Sequence, residues 1–179
     1  MPRSITAITQ KNNFLDHCHS KNVLEGVERG NEFHEAIEQY WRTGIAGKSE
    51  KYQAWIDSFL AYPNLKGWEP MAIEHRLIDR RYQIAGTLDL LLRNEKGRIA
   101  LCDYKTKNEK FSKANYRSQL GGYLSLLYLK FPQLDVDTCR IYWVSPKQTS
   151  SNDYNPFDCL ETYEAARSLY FKNLSLKPF

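Results

Sequence analysis

Two hydrophobic periods divide the chain. In the first third, Phe33, Ile37, Tyr40 and Trp41 recur at helical spacing, and Tyr52, Trp55, Ile56, Phe59 and Leu60 repeat it beyond Thr43-Gly44 and Gly47. From Met71 the period shortens, and Met71–Leu77, Tyr82–Leu92 and Ile99–Lys105 read as three successive strands. A helix is predicted from Ser112 to Lys130, with Tyr116, Leu120, Tyr123, Leu124, Leu127 and Tyr128 as its apolar stripe and Pro132 as its stop. Gly121-Gly122 inside it predicts either a break or the close approach of another backbone. Thr138–Val144 reads as a fourth strand, 145–157 as an irregular loop and Leu160–Leu174 as a closing helix.

This order gives an α/β fold in which helices flank a central mixed four-stranded sheet: three antiparallel strands, a crossover helix, then a fourth strand. With no repeat and no linker-like tract, residues 1–179 are expected to form a single domain, with a helical part over 1–68, a core over 69–145 and a C-terminal helix over 158–175.

The connection Asn94-Glu95-Lys96-Gly97-Arg98 sets a register. If Asn94 and Arg98 close a three-residue loop, with Gly97 taking the positive φ of a bulge after a type I turn, Asp89 lies opposite Asp103 and Thr87 opposite Lys105. Residues directly opposite share a face, with Cβ atoms about 5 Å apart, so one metal ion could touch both aspartates. A slip of one residue would send them to opposite faces. Reading Arg80-Arg81 as a two-residue turn pairs Glu74 with Thr87, on the face of Asp89, although arginines suit a tight hairpin poorly.

Two carboxylates and an amine on one face are equipment for cleaving a phosphodiester. Mg²⁺ or Mn²⁺ held by the carboxylates neutralises the phosphate, and a neighbouring lysine orients water or offsets charge. His34 shares a helical face with Glu38, and Gln119 with Tyr123, each pair four residues apart. The net charge is only +4, but Lys105, Lys107, Lys110, Lys113 and Arg117 crowd beside the acids, as a nucleic-acid backbone would require. Trp41, Tyr116 and Trp143 are candidates for stacking on bases of a single strand. Apolar residues make up 42% of the chain, yet no run is long enough for a membrane helix and no secretory signal opens it, so an intracellular protein is expected. Cys18, Cys102, Cys139 and Cys159 stand too far apart for a zinc ribbon, and the adjacent residues of Asp16-His17-Cys18-His19 point in different directions.

Gly30-x-x-x-His34, Glu74 in a strand, Gly86-x-x-Asp89, Asp103-x-Lys105 and Gln119-x-x-x-Tyr123 resemble, in order and near spacing, the motifs of the PD-(D/E)XK nucleases of the RecB-like branch. Within that branch, Ser4-Ile5-Thr6 and the short length resemble phage exonucleases and the mitochondrial genome-maintenance exonuclease, over about residues 4 to 145. The resemblance implies a restriction-endonuclease-like core. It also implies that His34, Asp89, Asp103 and the backbone carbonyl of Tyr104 hold the metal, and that Lys105 positions or activates water. Gln119 and Tyr123 would fix Lys105 and the scissile phosphate, and Glu74 would reach a metal-bound water. Mg²⁺ or Mn²⁺ is the expected ion, and no iron-sulfur cluster is expected because Cys139 and Cys159 lack the late cysteine grouping. The implied activity is a DNA exonuclease favouring single-stranded or frayed ends, in the cytoplasm of a bacterium or a phage-infected host. Lys107, Lys110, Lys113 and Arg117 would contact DNA, with a helicase, recombinase or single-strand-binding protein as a possible partner. An endonuclease of the same fold and a silent DNA-binding protein are the alternatives.

Overall fold

The computed structural model describes residues 3–5, 21–106 and 116–175. A mixed sheet runs through their centre. Its strands are β1 (Arg3–Ser4), β2 (Trp68–Asp79), β3 (Ile84–Asn94), β4 (Ile99–Lys105), β5 (Thr138–Val144) and β6 (Thr149–Tyr154). The helices are α1 (Lys21–Thr43), α2 (Gln53–Leu60), α3 (Tyr116–Lys130) and α4 (Pro156–Ser175). β2, β3 and β4 are antiparallel neighbours, β5 joins β4 in parallel, and β6 pairs antiparallel with β5. β1 pairs in parallel with the first residues of β3. The expected mixed α/β architecture is present, and the parallel β4–β5 pair is the one that the crossover through α3 requires.

Two strands exceed the four expected. β1 has two residues, too few to show a period. β6 reads Thr-Ser-Ser-Asn-Asp-Tyr, a polar run within the stretch expected to be an irregular loop. It lies at the edge of the sheet, where polar side chains protect the free edge, and Ser58 and Tyr62 bond to its Thr149 and Ser151 at 3.0 Å each. α4 starts at Pro156 rather than Leu160 because Asn155 caps it: its Oδ1 accepts the Phe157 N–H at 2.8 Å, and proline suits the first helical turn.

One core lies on each face of the sheet. Ile5, Leu77, Leu88, Leu91, Leu101 and Ile141 pack with α3 and with Cys159 and Tyr163 of α4. Phe33, Ile37, Ile56 and Phe59 of α1 and α2 cover Leu90, Leu92, Cys102, Tyr104 and Tyr142 on the other face. α3 is buried almost all round over its first three turns, not along a single stripe, because it is sandwiched between sheet and α4. Its two glycines make this possible. A Cβ on Gly121 would stand 1.9 Å from the Cys159 carbonyl oxygen, and one on Gly122 would stand 2.6 Å from Ile5. Close backbone approach, not a break, is why they are there.

The β3–β4 hairpin closes as its sequence requires. Asn94 N–H donates to Arg98 O at 3.0 Å, Gly97 N–H to Asn94 O at 2.9 Å, and Gly97 has φ 79°. Leu90 then faces Cys102 and Arg93 faces Ile99, which is the expected register. The ladder stops there: β3 and β4 separate from Asp89 and Asp103 onward, so Thr87 does not pair with Lys105 but with Arg76 of β2.

The β2–β3 connection corrects the two-residue turn. Four residues, 80–83, link the strands, because Asp79 Oδ1 accepts the N–H groups of Arg81 (2.8 Å) and Tyr82 (3.2 Å) and Gln83 turns the chain at φ 54°. Leu77 therefore faces Gly86, Arg76 faces Thr87 and His75 faces Leu88, which leaves Glu74 opposite Asp89 rather than Thr87.

At that position both strands reverse their facing. Ile73 and its partner Leu90 pack under α1 and α2, whereas Leu77 and Leu88 pack under α3. Strict alternation would put Leu88 and Leu90 on one face. Glu74 supplies the break with φ 46°, a left-handed conformation that a residue with a side chain adopts only when its surroundings hold it there.

The glycines make a two-sided test of this packing. Gly121→Ala should lower stability by about 3 kcal/mol, since neither the α4 backbone nor Cys159 can move aside cheaply. Gly30→Ala in α1, where nothing lies within 4 Å of the added carbon, should raise it by up to about 1 kcal/mol. Thermal unfolding followed by circular dichroism would read these as shifts of opposite sign. Equal shifts would contradict the α3–α4 contact.

Candidate active site

The separation of β3 from β4 opens a gap, and charged side chains from both layers meet in it. β4 keeps its alternation: Cys102 and Tyr104 pack under α1, so Asp103 and Lys105 face α3. Asp89 fills the gap itself. Its Oδ2 accepts the Tyr104 N–H at 2.9 Å, taking a donor that the ended ladder no longer uses.

His34 reaches the same place from α1. Its Nδ1 lies 3.1 Å from Glu74 Oε1 and its Nε2 3.7 Å from Asp89 Oδ2. The ring is held edge-on by Phe33 and Tyr104, with centroids 6.3 and 5.4 Å away. Tyr104 is fixed in turn by Trp41, whose Nε1 donates to the phenol at 2.9 Å. Arg29 Nε donates to the Thr106 carbonyl at 3.0 Å, tying the start of α1 to the end of β4. Neither Trp41 nor Arg29 was identifiable as a support from sequence, where each is one more side chain on an amphipathic helix.

Burial sets the electrostatics. Asp103 is 1% exposed and Asp89 8%. Loss of water, reinforced by the neighbouring Asp89 charge, pushes the Asp103 carboxyl up to about 6, against the pull of Lys105. Burial raises Asp89 as well, opposed by His34 and Lys105. Burial alone would lower His34, but Asp89 and Glu74 outweigh it and lift the imidazole to about 9. Burial likewise opposes the charge on Lys105, and Asp103 and Asp89 more than restore it. The metal-free site thus gathers protons to offset its carboxylates.

A divalent cation would replace those protons, and the donor set fits one. The ligand atoms of His34, Glu74 and Asp89 lie within 4.8 Å of one another. Two carboxylates with one imidazole suit a hard or borderline ion. Asp103 Oδ2 is buried against the Lys105 ammonium and lacks a properly oriented hydrogen-bond donor, an unfilled coordination that a cation would complete. The cluster differs from the expected ligand set: Glu74, expected to reach only a metal-bound water, belongs to it directly, while Asp103 is held by Lys105.

On the α3 side, Gln119 Nε2 donates to the Tyr123 hydroxyl at 2.9 Å, as their spacing predicts. Burial, then the Asp103 and Asp89 charges, keep that phenol protonated. Gly86 is the clearance for this ring: a Cβ there would stand 2.9 Å from Tyr123 Cε1. The Lys105 ammonium sits 4.9 Å from the Tyr116 ring centroid.

The base-stacking expectation is corrected for Tyr116 and Trp143, which are buried and pack edge to face at 5.5 Å, with Trp143 Nε1 bonded to Asn152. Trp41 is half-buried, its ring nitrogen bonded to Tyr104. Arg117 is exposed on α3, its guanidinium 5.3 Å from the Tyr154 ring centroid. Lys107, Lys110 and Lys113 lie outside the described residues, as does the Asp16–His19 string. Among the described residues no helix is long and apolar enough to cross a membrane.

A family model described as the PD-(D/E)XK nuclease superfamily matches residues 50–168, which include Glu74, Asp89, Asp103, Lys105, Gln119 and Tyr123 and leave His34 outside. The crystal structure of the protein SSO0001 is similar over 93% of this chain and 75% of its own, with 18% identity and a TM-score of 0.40. No curated protein matches the chain. With more than half of its length matched by the family model and the acidic strand pair and its lysine in place, the chain belongs to the PD-(D/E)XK nuclease superfamily, whose members hydrolyse phosphodiester bonds with divalent metal ions.

Proposed function

We propose that the chain is a metal-dependent DNA exonuclease of the RecB-like branch, acting on single-stranded or frayed ends. The observation that carries this reading is the meeting of His34, Glu74 and Asp89 beside the buried Asp103–Lys105 pair. The histidine supports the branch, since it comes from α1, outside the segment that defines the superfamily match. An imidazole among oxygen donors makes Mn²⁺ as suitable as Mg²⁺.

His34, Glu74 and Asp89, with Asp103 and the Tyr104 carbonyl completing the set, would hold the ion, which when bound supplies charge neutralisation and a more acidic water. Lys105, kept as an ammonium by Asp103, acts as a donor that orients the attacking water and offsets charge on the phosphate. Gln119 and Tyr123 present an amide and a phenol from the α3 side. Lys107, Lys110, Lys113 and Arg117 follow β4 in sequence, and in this reading they draw the DNA backbone towards the gap. A helicase, recombinase or single-strand-binding protein would supply open ends.

Asp103→Asn and Lys105→Ala should each reduce cleavage of an end-labelled linear oligonucleotide by on the order of 100- to 1,000-fold or more, with folded far-UV spectra. Wild-type rates in either variant would overturn the assignment. A closed single-stranded circle tests the mode of attack: an exonuclease leaves it intact, whereas cutting it as fast as the linear strand makes the enzyme an endonuclease.

Proton release gives a third test. His34 (about 9 against an ordinary 6.5) and Asp103 (about 6 against 3.8) both hold protons more tightly when folded. Raised values contribute stability below the ordinary pKa and lose it as pH climbs through the folded one, so the metal-free protein weakens between pH 3.8 and 9. An ion that displaces these protons should therefore raise the melting temperature more at about pH 8 than at about pH 5.5. Equal Mn²⁺-induced shifts at both pH values would count against the ligand set.

A further inference from the structure

Two cavities open along β2, one on each side of Glu74 and Asp89. The larger, about 810 Å³, is lined by Glu74 and His75 and extends towards Pro70 and Phe131. The smaller, about 560 Å³, starts at Arg76 and takes in Ile78, Ala85, Gly86, Thr87 and Tyr123. Arg42 and Glu74 both line the first, whereas among the described residues Arg76 is the one charged residue lining the second.

Several arginines of the fold are committed: Arg29 to Thr106, Arg42 to Glu38, Arg98 to Asp137, Arg140 to Asp153 and Arg167 to Glu164. Arg76 is not, and unlike Arg80 and Arg93, which also lack such a partner among the described residues, it stands two residues from Glu74. Among the described residues no carboxylate, ring or carbonyl engages its guanidinium, and the Thr87 hydroxyl has no partner either. The two are directly opposite each other on β2 and β3, hence on one face. Leu77 and Gly86 point to the α3 side, so Arg76 and Thr87 point to the other, with the half-exposed Ile78 and Ala85 beside them.

Position along the strands supplies the decisive relation. Arg76 and Thr87 are two residues beyond Glu74 and Asp89 on the same pair of strands, about 6–7 Å away. We propose that this smaller cavity is a phosphate subsite, in which Arg76 and the Thr87 hydroxyl hold a phosphate of the bound strand adjacent to the one being cleaved. A guanidinium and a hydroxyl match the oxygens of a phosphate, and Ile78 and Ala85 offer an apolar wall to the attached sugar. A cation here also counters the repulsion that the neighbouring carboxylates exert on an approaching strand. The inference rests on the nuclease reading and adds to it the residue that places the strand. Arg76 acts in binding and alignment, not on the reacting atoms.

Arg76→Gln and Arg76→Lys are the test, each assayed for cleavage of a linear single strand and, in the Asp103→Asn background, for binding of a fluorescent oligonucleotide. Arg76→Gln should raise KM roughly tenfold or more, leave kcat within about threefold, and flatten the log–log salt dependence of binding by about 0.7. Arg76→Lys should keep the salt slope, and melting temperatures should not move, because Arg76 is exposed and supports nothing. Ends carrying a 5′-phosphate, 5′-hydroxyl, 3′-phosphate or 3′-hydroxyl identify the source of the ligand. A loss confined to one phosphorylated end makes the occupant a terminal phosphomonoester; an equal loss on all four makes it an internal phosphodiester. Unchanged KM, binding and salt slope in Arg76→Gln would overturn the subsite whatever the wild-type activity. If the wild type cuts nothing while Arg76→Gln still weakens binding, the nuclease reading falls and the subsite stands.

Discussion

The reversal of facing at Glu74 and Asp89 is the constraint on which the site depends. A regular β2–β3 ladder would carry each strand's side chains on fixed faces, and no residue of α1 could share a partner with a residue facing α3. By inverting the alternation in both strands at one pair, the sheet lets Ile73 and Leu90 serve one core while Leu77 and Leu88 serve the other. The pair at the joint is left for neither core. It turns into the gap where β3 has parted from β4, and its carboxylates meet a histidine from the layer beyond.

Burial of charge follows from that joint. Two aspartates that water barely reaches are costly in a folded chain unless cations or hydrogen bonds accompany them. Here the compensation comes from three directions: the Lys105 ammonium to Asp103, the Tyr104 N–H to Asp89, and the His34 imidazole to Asp89 and Glu74. Two come from adjacent residues of β4 and the third from α1, and contacts such as the Trp41–Tyr104 hydrogen bond and the Arg29–Thr106 tie hold the two elements together. The same concentration of negative potential makes the gap a place for a divalent ion. Stability of the site without an ion and affinity for the metal would therefore pull in opposite directions, as at many functional sites.

The α3 side obeys a steric rule rather than an electrostatic one. Gly121 and Gly122 let α4 and Ile5 lie against the backbone of α3, and Gly86 leaves room for the Tyr123 ring. These three glycines bring Gln119 and Tyr123 down onto the start of β3. The helix that carries them is buried nearly all round, which explains why its polar pair, unlike a surface pair, has a fixed orientation.

Much of this was legible in the chain. The shift from helical to strand period at Met71, the turn chemistry of Asn94 and Gly97, and the Gln119–Tyr123 spacing are local, and local geometry dictates them wherever they occur. Hence the β3–β4 register from Leu90 and Cys102 to the turn followed from sequence, as did the need for close packing at Gly121-Gly122. Other features depended on partners far away in sequence. The polar β6 is a strand because β5 offers it an edge, and Glu74 joins His34 because the Asp79 turn is two residues longer than the arginines suggested. Trp143 and Tyr116 are core residues because each buries the other. The sequence alone determined which chemistry the chain carries and on which strands. Only the tertiary structure decided which carboxylates share an ion, because the left-handed turn at Glu74 is held by packing from both layers and no local pattern encodes it.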